Sequence, residues 1–516
     1  MNSGTRHTCA IAAAALCTLS VGAHAQWSDD STQHQVVAQG PGEQVQPKIV
    51  PTDDGGCYIS WYTSIDGYDV RLQRLDSSGN PVWGDNGILI ADRGYSSTQD
   101  YDLDVDTSGY AVLVFRDDRF GADQITAQRV SPDGMPQWGV DGLQFGSETA
   151  FLATPDVATT TDGGAVIAWG SDSSTQMVKL DSSGAVQWSH AIEEDGLTTL
   201  VASMHGTENG SVVLSWIQYA FFLGQKTLHA QKIDANGNES WASRAAVYDG
   251  GSLQFGNFPE FHASADGSTT FSWYDTQNSL NVYAQRLAAD GTELFPHNGV
   301  AASDQLGERV SPTATYDPIT GNTYVGWVEL ANNQGFQGVS TQALDASGNK
   351  LWGSSGMSLT APDANTSSSI NMQVLDGELV TMWIEGGGSI GNDVIHAVRQ
   401  GTDGSSAWST MVASDPAYRS RMVSTVSGDQ IIAAWQVGDF GVADIESHNL
   451  NADGSLGASA SCPADLTGDG VINFFDVSAF LNAYNAGDPI ADFTGDGVFD
   501  FFDVSAFLSA YNAGCP

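Results

Sequence analysis

Ala165-Val166-Ile167-Ala168-Trp169 and Val212-Val213-Leu214-Ser215-Trp216 are two copies of one phrase, a short run of apolar and small residues closed by an aromatic. Alternation with a period of two places such a run on a β-strand, and the 3.6-residue periodicity of a helix is absent around it. The phrase ends at Trp61, Phe115, Trp169, Trp216, Trp273, Trp327, Trp383 and Trp435. A second strand and a tight turn follow each copy, at Gly79, Gly134, Gly184, Gly237, Gly291, Gly348, Gly404 and Gly454, so that eight units recur at intervals of about 54 residues. Four residues past most of these turns stands a further aromatic: Trp83, Trp138, Trp188, Trp241, Phe295, Trp352 and Trp408.

A unit of this length holds four short antiparallel strands, and four-stranded sheets set radially bury both faces against their neighbours. Residues 26–461 are therefore read as an all-β domain, an eight-bladed β-propeller. The eighth unit stops soon after Gly454 without a last strand, whereas Trp27 and Gln35-Val36-Val37-Ala38 precede the first complete unit. The segment from Trp27 to Ala38 is expected to supply the missing outer strand and close the ring. An open solenoid of stacked sheets is the alternative.

The 516 residues carry 18 Lys+Arg against 61 Asp+Glu, a net charge of −43, which excludes nucleic acid or anionic lipid held on a basic face. With 41% hydrophobic residues and 58 glycines the chain is turn-rich and folded rather than an acidic disordered tail. Residues 1–25 read as a secretory signal: Arg6, an apolar stretch from Ala10 to Val21, and the exit Ala23-His24-Ala25. No later segment is long and apolar enough to span a bilayer, so the product is expected to be secreted, extracellular or associated with the cell surface. Cleavage leaves Cys57, Cys462 and Cys515. Cys462 and Cys515 bracket the last 55 residues and are expected to pair in an oxidising compartment, leaving Cys57 as a small buried hydrophobe.

Six of the 18 cations, Arg74, Arg129, Lys179, Lys232, Arg286 and Arg399, share one repeat position. A repeated ion pair with a repeat carboxylate such as Asp76 or Asp181 explains them, since an architectural contact repeats while a site is asymmetric; a ring that binds an acidic glycan is the alternative. The evenly spaced tryptophans are assigned to the blade cores on the same ground. The turn phrase Leu344-Asp345-Ala346-Ser347-Gly348-Asn349-Lys350-Leu351-Trp352 resembles the tryptophan-docking motif of quinoprotein propellers and comes near the Asp-box of sialidases, a likeness of architecture that carries no activity. Catalytic residues stay unassigned, because acids are too abundant to single out a pair at the spacing glycoside hydrolysis needs. His205 and His262, the latter close to Glu260, lie in segments read as inner strands. There is no Gly-rich phosphate loop, His-x-x-x-His pair or Gly-x-Ser-x-Gly elbow.

Residues 462–516 are a separate module with two copies of one segment, offset by 27 residues. Asp465, Thr467, Asp469, Val471, Asn473 and Asp476 occupy positions 1, 3, 5, 7, 9 and 12 of an EF-hand-type loop; Asp492, Thr494, Asp496, Val498, Asp500 and Asp503 repeat them. Side-chain oxygens, with the carbonyl of position 7, give Ca²⁺ the oxygen shell it needs, and the glycine at position 6 makes the turn. Two Ca²⁺ ions are expected. Eight aspartates with no Lys, Arg or Glu would repel one another without metal.

Paired loops ending in Asp, each followed by one helix at the end of an exported chain, resemble a bacterial dockerin. Gly514-Cys515-Pro516 and the bracketing cysteines are similar to the GC-type dockerin domain-anchored proteins. That resemblance implies folding on Ca²⁺ and attachment to a cohesin-like or other surface or scaffold partner, often by cargo that breaks down polysaccharide. Helices are predicted over 474–485 and 501–512, with Phe474, Val477, Leu481 and Tyr484, and Phe501, Val504, Leu508 and Tyr511, as the core stripes. The other stripe, Phe475, Ala479 and Asn482 with Phe502, Ala506 and Ser509, is the candidate partner face; it departs from the small hydroxyl pair of cohesin-reading dockerins. Two functions remain open. The propeller either binds an extracellular ligand, glycan or protein, or it is a polysaccharide hydrolase or lyase; polar residues that break the repeat at the channel would favour the enzyme.

Overall fold

The computed structural model describes residues 27–94, 101–146, 149–253, 260–264, 266–276, 280–387, 391–458, 464–467, 472–494 and 497–513. Residues 1–25, read above as a signal, and Cys462 and Cys515 lie outside them. Among the described residues thirty-two strands form eight four-stranded antiparallel sheets, the blades. Their innermost strands are Gln44–Pro51, Tyr101–Val105, Leu152–Thr159, Thr198–Gly206, Glu260–Ala263, Glu308–Tyr316, Thr366–Leu375 and Arg419–Ser427, in blades 1 to 8. Each inner strand packs against the next, and that of blade 8 returns to that of blade 1, so the sheets close into a ring and the open solenoid is ruled out. Across the seam Ser427 Oγ donates to the Gly56 carbonyl at 2.6 Å and Gln430 Nε2 to that of Ser77 at 2.9 Å.

Blade 8 takes its outermost strand from the N-terminus: Gln35–Ala38 pairs antiparallel with Asp444–Asn451. The expected closure by the segment from Trp27 to Ala38 is what the chain does. A ring tied by both ends of one chain unfolds only if the seam opens, which stabilises the closed form beyond the strand's own hydrogen bonds.

The second strand of every blade carries the core aromatic of the repeat, and all eight aromatics from Trp61 to Trp435 are buried. The outer aromatics join blades instead. Trp83 covers the turn at Gly134 and donates its indole N–H to the Pro132 carbonyl at 3.0 Å; Trp241 covers Gly291 and donates to Ala289 at 2.9 Å. At Gly291, φ is +84° and a Cβ would come within 2.5 Å of the Trp241 ring, so both backbone conformation and space demand glycine.

The six repeat cations are ion-paired, which removes the acidic-glycan ring. Their partners are not Asp76 or Asp181 but carboxylates on or beside the turn joining the first and second strands: Arg74–Asp54 and Arg129–Asp106 at 2.6 Å, Lys179–Asp162, Lys232–Glu208, Arg286–Asp266 at 3.3 Å and Arg399–Glu378 at 2.6 Å. Asp76 and Asp181 are used locally, accepting the amides of Ser78 and Asn80, and of Ser183 and Ala185, within their own turns.

Beyond the ring, helices α1 (Phe474–Ala486) and α2 (Phe501–Ala513) follow the two acidic loops. Phe480 and Phe507 stack between them with centroids 4.1 Å apart, and Val477, Tyr484, Val504 and Tyr511 pack around that pair. Phe474, Leu481, Phe501 and Leu508 are exposed, contrary to the sequence expectation. The buried stripe runs 477, 480, 484 and 504, 507, 511, about one residue rotated from the expected one, because Phe474 and Phe501 sit in first turns that no described element covers.

Candidate functional site

The inner strands enclose a channel with a cavity of about 450 Å³. Strand register sets two rings of residues there. The residue paired with the one just before the core aromatic is Lys48, Asp102, Asp156, Ser203, Glu260, Thr313, Asn371 or Val423 in blades 1 to 8. Two positions further along stand Val50, Asp104, Ala158, His205, His262, Thr315, Gln373 and Thr425. All the titratable members of the two rings belong to blades 1 to 5, and the ring members from blades 6 to 8 are neutral.

Five inner strands kink just before the first ring. Gln46, Thr154, Ser311, Ser369 and Arg421 adopt positive φ between 44° and 57°, each two residues ahead of its ring member, where the pairing register slips. Such a bulge re-aims the side chains after it, at a cost of about 1 kcal/mol or more for a non-glycine residue in this conformation.

Lys48 Nζ lies 2.9 Å from Asp102 Oδ1. Burial disfavours this ammonium, but Asp102 outweighs burial and raises its pKa. Asp102 and Asp104 also latch blade 2 to blade 3, accepting the Val157 amide at 3.2 Å and the Thr159 amide at 2.7 Å. Burial pushes the Asp104 carboxyl up to about 6 against the Thr159 and Val105 amides that donate to it. Asp156 is pushed well above the usual carboxylate range, by burial first and then by Asp102, and its Oδ1 is buried without a hydrogen-bond partner among the described residues. A carboxyl in that setting keeps its proton to a higher pH than an exposed aspartate does.

His205 and His262 stack with ring centroids 6.2 Å apart. Crowding by the channel wall, then His205, hold His262 below the ordinary imidazole range, although part of its ring meets the solvent of the channel. On the neutral side the latches are amides: Asn371 Nδ2 donates to the Met422 carbonyl and Gln373 Nε2 to that of Ser424, both at 3.0 Å.

Sequence reading found His205 and His262 but passed over Lys48, Asp102, Asp104 and Asp156. A signal existed: in blades 1 to 5 the first-ring residue stands thirteen positions before the core aromatic, so charge at that offset breaks the repeat. Cys57 is buried, and burial pushes its thiol up, as an inert core residue requires.

In the C-terminal module the structure brings together positions 1, 3, 9 and 12 of each loop. Thr467 Oγ1 donates to Asp476 at 2.8 Å and Asp465 at 3.2 Å, and Asp476 Oδ2 accepts the Asn473 amide at 2.8 Å. Asp503 repeats this with Thr494 and Asp500, and the Gly497 amide donates to Asp492 Oδ2 at 2.8 Å. Val498 is exposed; Asp469, Val471 and Asp496 lie outside the described residues. Burial works to raise the Asp476 carboxyl, but the Asn473 amide and Thr467 outweigh it and hold its pKa at about 2. Asp476 and Asp503 are buried carboxylates in a segment without Lys, Arg or His, a donor set that fits a hard divalent cation. Among the described residues no three His, Cys, Asp or Glu side chains converge at metal-binding distance. On the candidate partner face Phe475, Asn482, Phe502 and Ser509 are exposed, and Ala479 and Ala506 half-buried.

No protein-family model and no curated protein matches the chain. Solved structures similar to it include a polysaccharide lyase described as a PL25 ulvan lyase (9% identity, TM-score 0.44, covering 83% of this chain and 97% of that one). Prolyl oligopeptidase B from Galerina marginata is another (13%, TM-score 0.42, 78% of this chain), of whose length the chain spans 55%. An α-L-arabinofuranosidase from Fusarium graminearum matches at 10% identity and TM-score 0.34, over 58% of this chain and 94% of that one. Likenesses this loose leave the chemistry to the channel's own residues.

Proposed function

We propose that this chain is an exported propeller that takes an uncharged glycan segment in its channel and is fastened to a cohesin-like or other scaffold partner by a Ca²⁺-organised, dockerin-like tail. The observation that carries the ligand reading is the one-sided channel: Lys48, Asp102, Asp104, Asp156, His205 and His262 line one arc, and Asn371, Gln373 and Thr313 the other. Convergent polar groups in a cavity of this size suit an oligosaccharide stretch. Charge narrows the class. Lys48 is already paired with Asp102, so along the charged arc a polyuronate would meet carboxylates without a spare cation.

Most of the arc's oxygens are engaged in latching blades, which favours binding over bond cleavage. The hydrolase reading is favoured by Asp156 alone, a carboxyl raised above its ordinary range with one oxygen free of hydrogen bonds beside Asp102. The tail's support is its ligand spacing and the buried, uncompensated Asp476 and Asp503. In that module Asp465, Thr467, Asn473 and Asp476, with Asp492, Thr494, Asp500 and Asp503, would hold Ca²⁺, which supplies the positive charge the segment lacks. Tethering raises local concentration without altering the channel.

Screening the secreted chain on a panel of neutral and acidic glycans, for both retention and release of reducing ends, tests the reading. Retention of neutral glycans without release is expected. Release abolished by Asp156→Asn would establish the hydrolase, and neither retention nor release would discard both.

A further inference from the structure

We infer that one face of the ring is a docking platform for the surface of an uncharged, insoluble polysaccharide, with the phenylalanines of its loops as the contact. The inference deepens the glycan reading above and rests on it for the class of ligand. Antiparallel order sends the connections from second to third strand, and from each fourth strand to the next blade, out of the same face. Phe120, Phe221, Phe222 and Phe440 lie in the first kind of connection and Phe151 in the second. They are 45%, 66%, 57%, 96% and 64% exposed. Among the described residues, the ring's remaining exposed phenylalanine, Phe336, opens a third strand at the same face. The opposite face has single exposed aliphatics such as Val140 and Ile319 but, among the described residues, no exposed phenylalanine.

Phenylalanines exposed on one face and, among the described residues, not on the other mark an interaction surface. Phe440, Phe120, Phe151 and Phe221 belong to blade 8, blade 2, the connection from blade 2 to blade 3, and blade 4. That half of the ring also carries most of the charged channel arc.

Charge selects the occupant. Arg119 beside Phe120 is held by Asp117 at 2.7 Å, and Lys226 beside the Phe221 loop is buried. Beside Phe120 and the Phe221 loop a polyanion thus meets no ready cation, while Asp118, Asp123 and Asp439 adjoin the phenylalanines. A bilayer would draw those carboxylates toward hydrocarbon at a desolvation cost. A hydrated sugar surface leaves them in water and offers the apolar C–H faces of its rings to the aromatics.

The test uses the full chain and its Phe120→Ala, Phe221→Ala, Phe222→Ala, Phe440→Ala combination in depletion assays on cellulose, chitin and mannan particles. At least tenfold weaker retention is expected with unchanged melting, because these side chains lie outside the core; Val140→Ala with Ile319→Ala should leave retention intact. Unchanged retention in the phenylalanine variant overturns the inference. So does wild-type retention on phosphatidylcholine vesicles instead of polysaccharide, a concentration-dependent dimer that the variant loses, or no retention on any surface. Titration with soluble oligosaccharides reads the channel separately. If they bind while particles are ignored, the platform alone fails; if particles are held through the phenylalanines and no oligosaccharide binds, the channel reading fails instead.

Discussion

Trp27 lies over Gly79 and donates its indole N–H to the Ser77 carbonyl at 3.0 Å, the relationship that Trp83 has to Gly134 and Pro132 one blade on. The residue that opens the described chain therefore performs, for blade 8, the task that the post-turn aromatic performs elsewhere. Trp27→Ala should lower the unfolding free energy by about 3–5 kcal/mol, as for other buried tryptophans. Urea denaturation followed by tryptophan fluorescence measures it, and a loss under 1 kcal/mol would show that the seam holds without this lock.

The ion-pair row is graded by burial. Arg129 and Asp106 are both nearly buried, whereas Asp54 opposite Arg74 is half-exposed. Arg129→Ala should cost about 3–5 kcal/mol because it strands the Asp106 charge. Arg74→Ala should cost about 1 kcal/mol or less. Equal losses in the two variants would contradict this account.

Acid should act on the seam through His448, which burial, and then His34, hold at a pKa of about 4, below the ordinary 6.5. Its stabilising contribution is whole above pH 6.5 and is lost as the pH falls toward 4, by up to roughly 3 kcal/mol, because the unfolded chain takes a proton that the folded ring refuses. Asp104 runs the other way: raised to about 6, it favours the fold at low pH and loses that contribution as the pH rises through 6. His448→Gln should flatten the acid limb of a stability profile taken from pH 4 to 8, and Asp104→Asn should steepen it. Profiles parallel to the wild type would remove both assignments.

Ser369 bears a left-handed backbone without glycine. Ser369→Gly should stabilise the ring by about 1 kcal/mol, and a β-branched residue there should destabilise it by at least as much. Melting temperatures of Ser369→Gly and Ser369→Val check the sign.

Calcium should raise the helical signal of the tail, and calorimetry should detect its uptake. Asp465→Ala with Asp492→Ala is expected to abolish that heat. Heat and melting identical to the wild type would dismiss the metal.

Much of this architecture was legible because it is written in local spacing. The recurrence from Trp61 to Trp435 marks one strand per blade, and the orphan segment at Trp27 pairs with the truncated eighth unit. Spacing was a poorer guide to partners. Asp76 lies two residues from Arg74 in the chain, yet an aspartate at the start of a tight turn is claimed by that turn's amides, while strand pairing carries Arg74 to Asp54. The helix stripe failed similarly: apolar periodicity gives a face to within about one residue, and only a packed neighbour decides whether Phe474 or Phe480 is covered.

Sequence alone determined the number of blades, the closing strand and the acidic loops of the tail, since each follows from residues near one another in the chain or from a pattern repeated along it. Tertiary structure decided the channel. Lys48, Asp102 and Asp156 become neighbours only when three blades converge, and the bulges ahead of the ring, at Gln46, Thr154, Ser311, Ser369 and Arg421, share no residue type that a reader of the chain would mark. Side-chain direction past a bulge is set by backbone geometry under the constraint of ring closure, and that constraint exists only in the assembled circle.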